Sequence, residues 1–287
     1  MANKQYISPI RLLQHCSIDT EGEINLPRIK KQLNAEFGFA KTGFIEVDGY
    51  TYNKNDVLEE IDQPDFTERL KYHQRIWQSK NILSILEDNT VSLYDIKHDF
   101  DKFQNDKVFD EFFSPYFAAP FNHISRSFLN EGKLYDLSTL LLFEEFLQPA
   151  DREEAFKAIR IFLDGNIHMF KNISVANYNS FRPKLKHWYS SGWDEFVNNL
   201  PDDFYDYKNA IAFDLINLTV KIQKTNKKDC KAISSGLIHL QGLSNNLRET
   251  ILNNDSVFNA KVGSGNYSWM IWVGIILLKV LSTGGCN

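Results

Sequence analysis

Hydrophobic residues recur along most of this chain at the spacing of amphipathic helices, in which apolar positions fall three and four residues apart. From about residue 64 the pattern predicts one helix after another. One should end at Asp164-Gly165-Asn166, one runs from Phe204 to Ile222, and one runs from Ile233 to Ile251. Leu134 to Leu147 is apolar nearly all round, which predicts a helix buried on several sides. The pattern therefore predicts a mainly α multi-helix body.

The N-terminal part has a different pattern. Ser8-Pro9 opens a short predicted helix, and Leu26-Pro27 opens a second one that continues to about Phe37. Two β-prone runs between Phe44 and Tyr52 flank Asp48-Gly49, a dipeptide typical of a tight β-hairpin turn. We therefore expect a small N-terminal α+β element that contains a hairpin.

These changes of pattern divide the chain into three predicted parts. Residues 1–62 form the α+β element, residues 63–258 form the helical body, and residues 259–287 form a flexible hinge followed by a hydrophobic tail helix. Within the body, residues 165–201 are predicted as a domain junction or as a long connection with one short helix. An aromatic-rich stretch from Phe100 to Phe117 is interrupted by Pro115.

The tail is the most informative segment. Tyr267 to Cys286 comprises 20 residues with a single charge, and as a helix it would span about 30 Å, the thickness of the bilayer hydrocarbon. Aromatic residues near one end suit a membrane interface, and a lysine near the other end can reach the headgroups. The residues assigned to this predicted membrane anchor are Tyr267, Trp269, Trp272, Ile275, Leu278 and Lys279.

A second interpretation of the tail is a hydrophobic helix that packs in the core of the body or between subunits. The tail has no polar face, and Gly263-Ser264-Gly265 separates it from the preceding helix, so the anchor is favoured. No upstream segment is equally hydrophobic, which predicts a tail-anchored protein on the cytoplasmic face of a membrane. If the tail is buried, the prediction becomes a cytoplasmic protein.

Composition and charge exclude some classes of protein and argue against others. The chain is 43% hydrophobic and 24% charged, which excludes a disordered protein. Its net charge of −5 argues against a general attraction to nucleic acid, and three cysteines without a C-x-x-C pair suit a reducing compartment. One basic cluster is a candidate contact for an anionic surface, with a solvated helix–helix turn as the alternative. It consists of Lys221, Lys224, Lys227, Lys228 and Lys231.

No recognisable catalytic chemistry is present. The sequence lacks zinc spacings, phosphate-binding loops and nucleophile elbows, so no catalytic residue, metal ligand or cofactor is predicted. We expect a non-enzymatic, membrane-tethered interaction or scaffold protein with a cytoplasmic helical body and an unidentified protein partner. The alternatives are a membrane-perturbing effector that assembles as a homo-oligomer, and a soluble helical enzyme or ligand binder whose tail packs in its core.

Overall fold

The computed structural model describes residues 6–20, 24–40, 42–92, 98–103 and 106–259, the last four without their side chains. These residues fall into two compact units. Unit 1 is drawn from Met1–Ile124 and Glu145–Phe156, and unit 2 from Ser125–Glu144 and Lys157–Asn287. The boundaries predicted at residues 62 and 258 stay predictions.

The described part of the chain is mainly α-helical, as predicted. In chain order its elements are α1 (Pro9–His15), α2 (Leu26–Phe39), β1 (Phe44–Val47), β2 (Tyr50–Asn53), α3 (Lys54–Ile61), α4 (Phe66–Gln78), α5 (Lys80–Asp88), α6 (Lys107–Glu131), α7 (Leu134–Leu141), α8 (Arg152–Ala155), α9 (Lys157–Lys171), α10 (Tyr178–Phe181), α11 (Trp193–Asn198), α12 (Tyr205–Ile222), α13 (Lys227–Leu237) and α14 (Asn245–Asn259). Short 3₁₀ helices cover Glu144–Phe146, Arg182–Trp188 and Asp202–Phe204.

The predicted hairpin is confirmed. Strands β1 and β2 pair antiparallel, with Phe44 opposite Asn53 and Val47 opposite Tyr50. Asp48 and Gly49 both have positive φ, at 51° and 84°, which is the backbone of a type I′ turn. The hairpin packs on α1 and α3 through Val47 and Tyr52, both buried in the core of unit 1.

A row of phenylalanines organises the long helix α6. Phe109, Phe113, Phe117 and Phe121 recur every four residues, and each is fully buried in unit 1. Their successive ring centroids lie 5.1, 4.9 and 5.5 Å apart. The helix continues through Pro115 and Pro120, so the predicted interruption at Pro115 is wrong. Packing of this phenylalanine row offsets the two backbone hydrogen bonds that the prolines cannot donate.

Several predicted helix ends in unit 2 are also wrong. Helix α9 runs through Gly165 to Lys171, because Leu163 and Phe170 on either side of the glycine are both buried. The apolar run from Leu134 to Leu147 is α-helical only to Leu141, and after a short turn the 3₁₀ helix Glu144–Phe146 follows. The single helix predicted from Ile233 to Ile251 is two helices, since Gly242 adopts a φ of 65° between α13 and α14.

No helix among the described residues combines the length and the apolar character that crossing a bilayer requires. The predicted C-terminal tail helix lies outside the described residues.

Two glycines in unit 2 allow a matched test of the packing. A methyl group added at Gly236 in α13 would overlap the indole ring of the buried Trp193, whereas one added at Gly165 would meet nothing. Alanine favours a helix over glycine by about 1 kcal/mol. We expect Gly165→Ala to raise the free energy of unfolding by ~0.5–1 kcal/mol and Gly236→Ala to lower it by ~1–3 kcal/mol. Denaturant unfolding of both variants measures this, and equal effects would contradict the packing described.

Candidate functional site

Unit 1 contains a cavity of about 310 Å³. This volume lies at the lower end of the range of small-molecule sites. The cavity is enclosed by the segment that leads into α1, by α1 itself, and by β2, α3, α4 and α6. Its lining residues are Tyr6, Ile7, Pro9, Leu12, Leu13, Thr51, Tyr52, Asn53, Asp56, Val57, Glu60, Ile61, Phe66, His73 and Tyr116.

Most of the wall is apolar and rigid. Leu12 and Leu13 project from α1, Ile61 ends α3, and Phe66 begins α4. All four side chains are buried and belong to the core cluster of unit 1, so the core that stabilises the fold also shapes the cavity. A site built on packed helices keeps its geometry better than one built on loops.

A chain of hydrogen-bonded side chains crosses the polar part of the wall. The hydroxyl oxygen of Tyr6 lies 3.0 Å from Nδ1 of His73, and Nε2 of His73 lies 3.5 Å from Oε1 of Glu60. In the neutral form of His73 with hydrogen on Nε2, Tyr6 donates to His73 and His73 donates to Glu60. His73 is only 3% exposed, so its two ring nitrogens are satisfied inside the protein.

Arg69 supplies the charge that keeps Glu60 ionised. Its Nε donates to Oε1 of Glu60 at 2.8 Å, and its guanidinium lies 4.9 Å from the ring of Phe112. Burial alone would raise the pKa of Glu60, but the hydrogen bond from His73 and the charge of Arg69 outweigh burial and lower the pKa from 4.5 to about 2. Glu60 is therefore a carboxylate throughout the physiological pH range.

The three tyrosines of the wall remain neutral phenols. Burial raises the pKa of Tyr6 and of Tyr116 above the usual value of 10.0 and raises that of Tyr52 to about 12. The hydroxyl of Tyr52 donates to the carbonyl oxygen of Ser8 at 2.9 Å, and the hydroxyl of Tyr116 accepts from Arg69 at 3.3 Å. The wall thus offers aromatic rings and hydroxyl groups beside a fixed negative charge.

A buried ion pair holds in place α1 and the chain segment that leads into it, which together form one side of the cavity. Arg11 donates from both terminal nitrogens to the carboxylate of Glu87 on α5, at 2.9 and 2.6 Å. The backbone N–H of Ser8 donates to the same carboxylate at 2.8 Å. The guanidinium of Arg11 also lies 3.9 Å from the ring centre of Tyr50. These contacts fix the backbone that carries Tyr6, Leu12 and Leu13.

Of the residues predicted as functional from the sequence, the structure describes only the lysine cluster, which belongs to unit 2. The membrane-anchor residues from Tyr267 to Lys279 lie outside the described residues. The five lysines from Lys221 to Lys231 are exposed in unit 2, at the end of α12, in the turn that follows it and along the first half of α13. Lys221 donates from Nζ to the carbonyl oxygen of Ile173 at 2.9 Å.

A second group of basic residues lies close to these lysines. Arg182 donates from Nε to Oδ2 of Asp229 at 2.8 Å, and Asp229 lies between Lys228 and Lys231 in the sequence of α13. Hydrogen bonds from Arg182 lower the pKa of Asp229. Arg182 and Lys186 also line a surface depression of about 490 Å³. Arg182 therefore packs against α13 by pairing with the one acidic residue of this basic stretch, 47 positions further along the chain.

The sequence analysis missed the cavity residues, although two signals were present. Asp56 and Glu60 are four residues apart, which places both carboxylates on one face of α3. His73 falls three residues after Leu70 and three before Ile76, on the buried stripe of α4. A histidine in an apolar stripe needs buried polar partners. Tyr6 gave no comparable signal.

Among the described residues, no group of three or more histidine, cysteine, aspartate or glutamate side chains could hold a metal ion. Comparison with known proteins gives no match: no family model fits the chain, and no curated protein and no solved structure is significantly similar to it.

The lowered pKa of Glu60 makes the stability of unit 1 depend on pH. A carboxylate with a lowered pKa in the folded state stabilises the fold above its unfolded value near 4.5, and this contribution is lost as the pH falls towards about 2. We expect Glu60→Gln to lower the free energy of unfolding by about 2–3 kcal/mol at pH 7. The difference in free energy of unfolding between Glu60→Gln and the unsubstituted protein should shrink as the pH falls from about 5 to about 2. Denaturant titrations across this range measure the difference.

Glu59→Gln is the matched control, since Glu59 is the exposed neighbour of Glu60 on α3. It should change stability by less than ~0.5 kcal/mol at every pH. A deficit of Glu60→Gln that stays constant down to pH 2 would show that the carboxylate is not held as described.

Proposed function

We propose that unit 1 binds a small, mostly apolar molecule that carries a polar group. The observation that carries this proposal is the cavity of about 310 Å³ with an apolar wall and the hydrogen-bonded chain Glu60–His73–Tyr6 on one side. Apolar enclosure supplies affinity, and a few fixed polar groups orient the ligand. Ligand binding was one of the alternatives weighed from the sequence, where it was linked to a tail packed in the core; the proposal made here concerns unit 1 alone and does not depend on the tail.

Glu60 and Tyr6, the two ends of the hydrogen-bonded chain, suit recognition better than proton transfer. A general acid or base works best with a pKa near the operating pH. The pKa of Glu60 lies near 2, and burial holds the pKa of Tyr6 well above 10.0, so each stays in one protonation state at neutral pH. These groups present a constant pattern of charge and hydroxyl groups to a bound molecule.

Filling the cavity should abolish binding. Val57 lines the cavity from α3, and Val57→Trp places an indole in its volume. Benzyl alcohol is a suitable neutral probe, because it combines an apolar ring with one hydroxyl group. We expect saturable shifts in protein NMR spectra that localise to unit 1, and at least about a tenfold weaker affinity in Val57→Trp. The milder Val57→Phe should give an intermediate affinity.

The matched control is Glu59→Trp, which adds the same indole to the exposed side of α3. It should bind the probe like the unsubstituted protein. A cooperative thermal melt of each variant confirms that the fold is kept. Equal binding by Val57→Trp and Glu59→Trp, or no saturable binding by the unsubstituted protein, would refute the proposed site.

We also propose that the chain is a membrane-tethered protein with a cytoplasmic helical body and a protein partner, as expected from residues 267–286. The observation that supports contact with an anionic membrane surface is the exposure of Lys224, Lys227 and Lys228 around the connection between α12 and α13 in unit 2. A lysine near an anionic surface contributes about 1 kcal/mol. In this proposal the tail anchors the chain and the basic side of unit 2 faces the headgroups.

Membrane extraction tests the anchor. We expect the full chain to stay with bacterial membranes through an alkaline wash and a version that ends at Gly263 to be soluble with a cooperative melt. A soluble full chain together with an unstable shortened chain would instead place the tail in the core. Oligomerisation and toxicity that depend on residues 266–282 would favour the membrane-perturbing effector.

The lysines are tested by charge reversal in the full chain. Lys224→Glu with Lys227→Glu should weaken sedimentation with phosphatidylserine vesicles at least about tenfold. Lys31→Glu with Lys157→Glu reverses the same charge at two exposed lysines elsewhere and is the control. Equal losses in the two double variants would show that net charge, rather than the basic side of unit 2, governs binding.

A further inference from the structure

We propose that the molecule bound in the cavity of unit 1 is an organic cation, a compact apolar group that carries an ammonium. This inference rests on the proposed ligand-binding function and names the chemical class of the ligand. It is carried by the charge and aromatic character of the lining together with the shape of the cavity.

The charges on the wall have one sign. Asp56 and Glu60 line the cavity from one face of α3, and among the described residues no lysine or arginine lines it. Arg69 neutralises Glu60 from outside the lining, through the 2.8 Å hydrogen bond to Oε1. Asp56 is exposed, and no salt bridge among the described residues involves it. The uncompensated charge at the cavity is therefore negative.

The aromatic residues of the lining add a second preference for a cation. Tyr6, Tyr52 and Tyr116 reach the cavity from three separate segments of unit 1, and Phe66 adds a fourth ring. The faces of aromatic rings carry partial negative charge and attract cations. The hydroxyls of Tyr52 and Tyr116 already accept from Arg11 and Arg69, and the neutral phenol of Tyr6 can accept a hydrogen bond from an N–H group.

An anionic ligand would bind in this cavity less favourably than a cation. Its carboxylate would lose hydration next to Asp56 and Glu60, and no positive side chain of the lining would replace that hydration. A neutral ligand gains the apolar contacts with Leu12, Leu13 and Ile61 but leaves Asp56 without a partner. A ligand with an ammonium group gains the apolar contacts and also the attraction to Asp56, because its apolar group lies inside the cavity and its charge lies towards Asp56.

Three ligands of matched size separate these cases. Benzylammonium, benzyl alcohol and benzoate share one ring and differ in the charge of the head group. We expect benzylammonium to bind the full chain at least about tenfold more tightly than benzyl alcohol at low ionic strength, and benzoate to bind most weakly. Dissociation constants from protein NMR titrations give the order directly.

Asp56→Asn removes the charge from an exposed position and should reduce the preference for benzylammonium over benzyl alcohol at least about threefold. Glu59→Gln removes an exposed charge from the same helix outside the lining and should preserve the preference. A preference that is unchanged in Asp56→Asn would overturn the role of this charge.

The outcomes distinguish the two proposals. If benzyl alcohol binds as tightly as benzylammonium and both are lost in Val57→Trp, the cavity binds ligands but the cation inference is wrong. If none of the three ligands binds, or if their binding is unchanged in Val57→Trp, both the cation inference and the proposed function are wrong.

Discussion

Unit 1 depends on the packing of one helix face. The phenylalanine row of α6, formed by Phe109, Phe113, Phe117 and Phe121, is buried along its whole length and holds a helix that contains two internal prolines. Each proline costs a helix about 3 kcal/mol. Only the continuous burial of large aromatic rings, which make specific contacts with one another, offsets such a cost. Because this row fixes the rotation of α6, it also directs Tyr116 towards the cavity and Phe112 towards Arg69.

The cavity is a place where the core of unit 1 is incompletely filled and is bounded by charge. The space of about 310 Å³ is partly open to solvent, so a ligand could enter it without unfolding of the core. Two arginine–glutamate pairs lie behind its lining, Arg11 with Glu87 and Arg69 with Glu60, and of these four residues only Glu60 reaches the cavity. Removing one partner of such a pair leaves an uncompensated buried charge, which strongly destabilises the fold. Here the two pairs hold the segment that leads into α1 and the end of α3, two of the elements that border the cavity.

Local sequence signals predicted the secondary structure and missed the site. The hairpin at Asp48-Gly49 and the helix from Tyr205 to Ile222 were predictable, because their turn chemistry and apolar spacing act over a few residues. The helix through Gly165 was not, since tertiary burial of its flanks outweighed the local preference of glycine. The Tyr6–His73 contact joins residues 67 positions apart, and no periodicity encodes such a contact.

The residues that line the cavity are far apart in the sequence, and this has a consequence for how the protein is synthesised. The lining begins at Tyr6 and ends at Tyr116, with contributions from helices and a strand in between. Contacts between residues distant in sequence form late, because the intervening chain must first be ordered. A nascent chain on the ribosome therefore cannot enclose a ligand until α6 has emerged. Binding capacity would appear in a single step near the end of the synthesis of unit 1, and a ligand present at that moment would stabilise the newly folded unit.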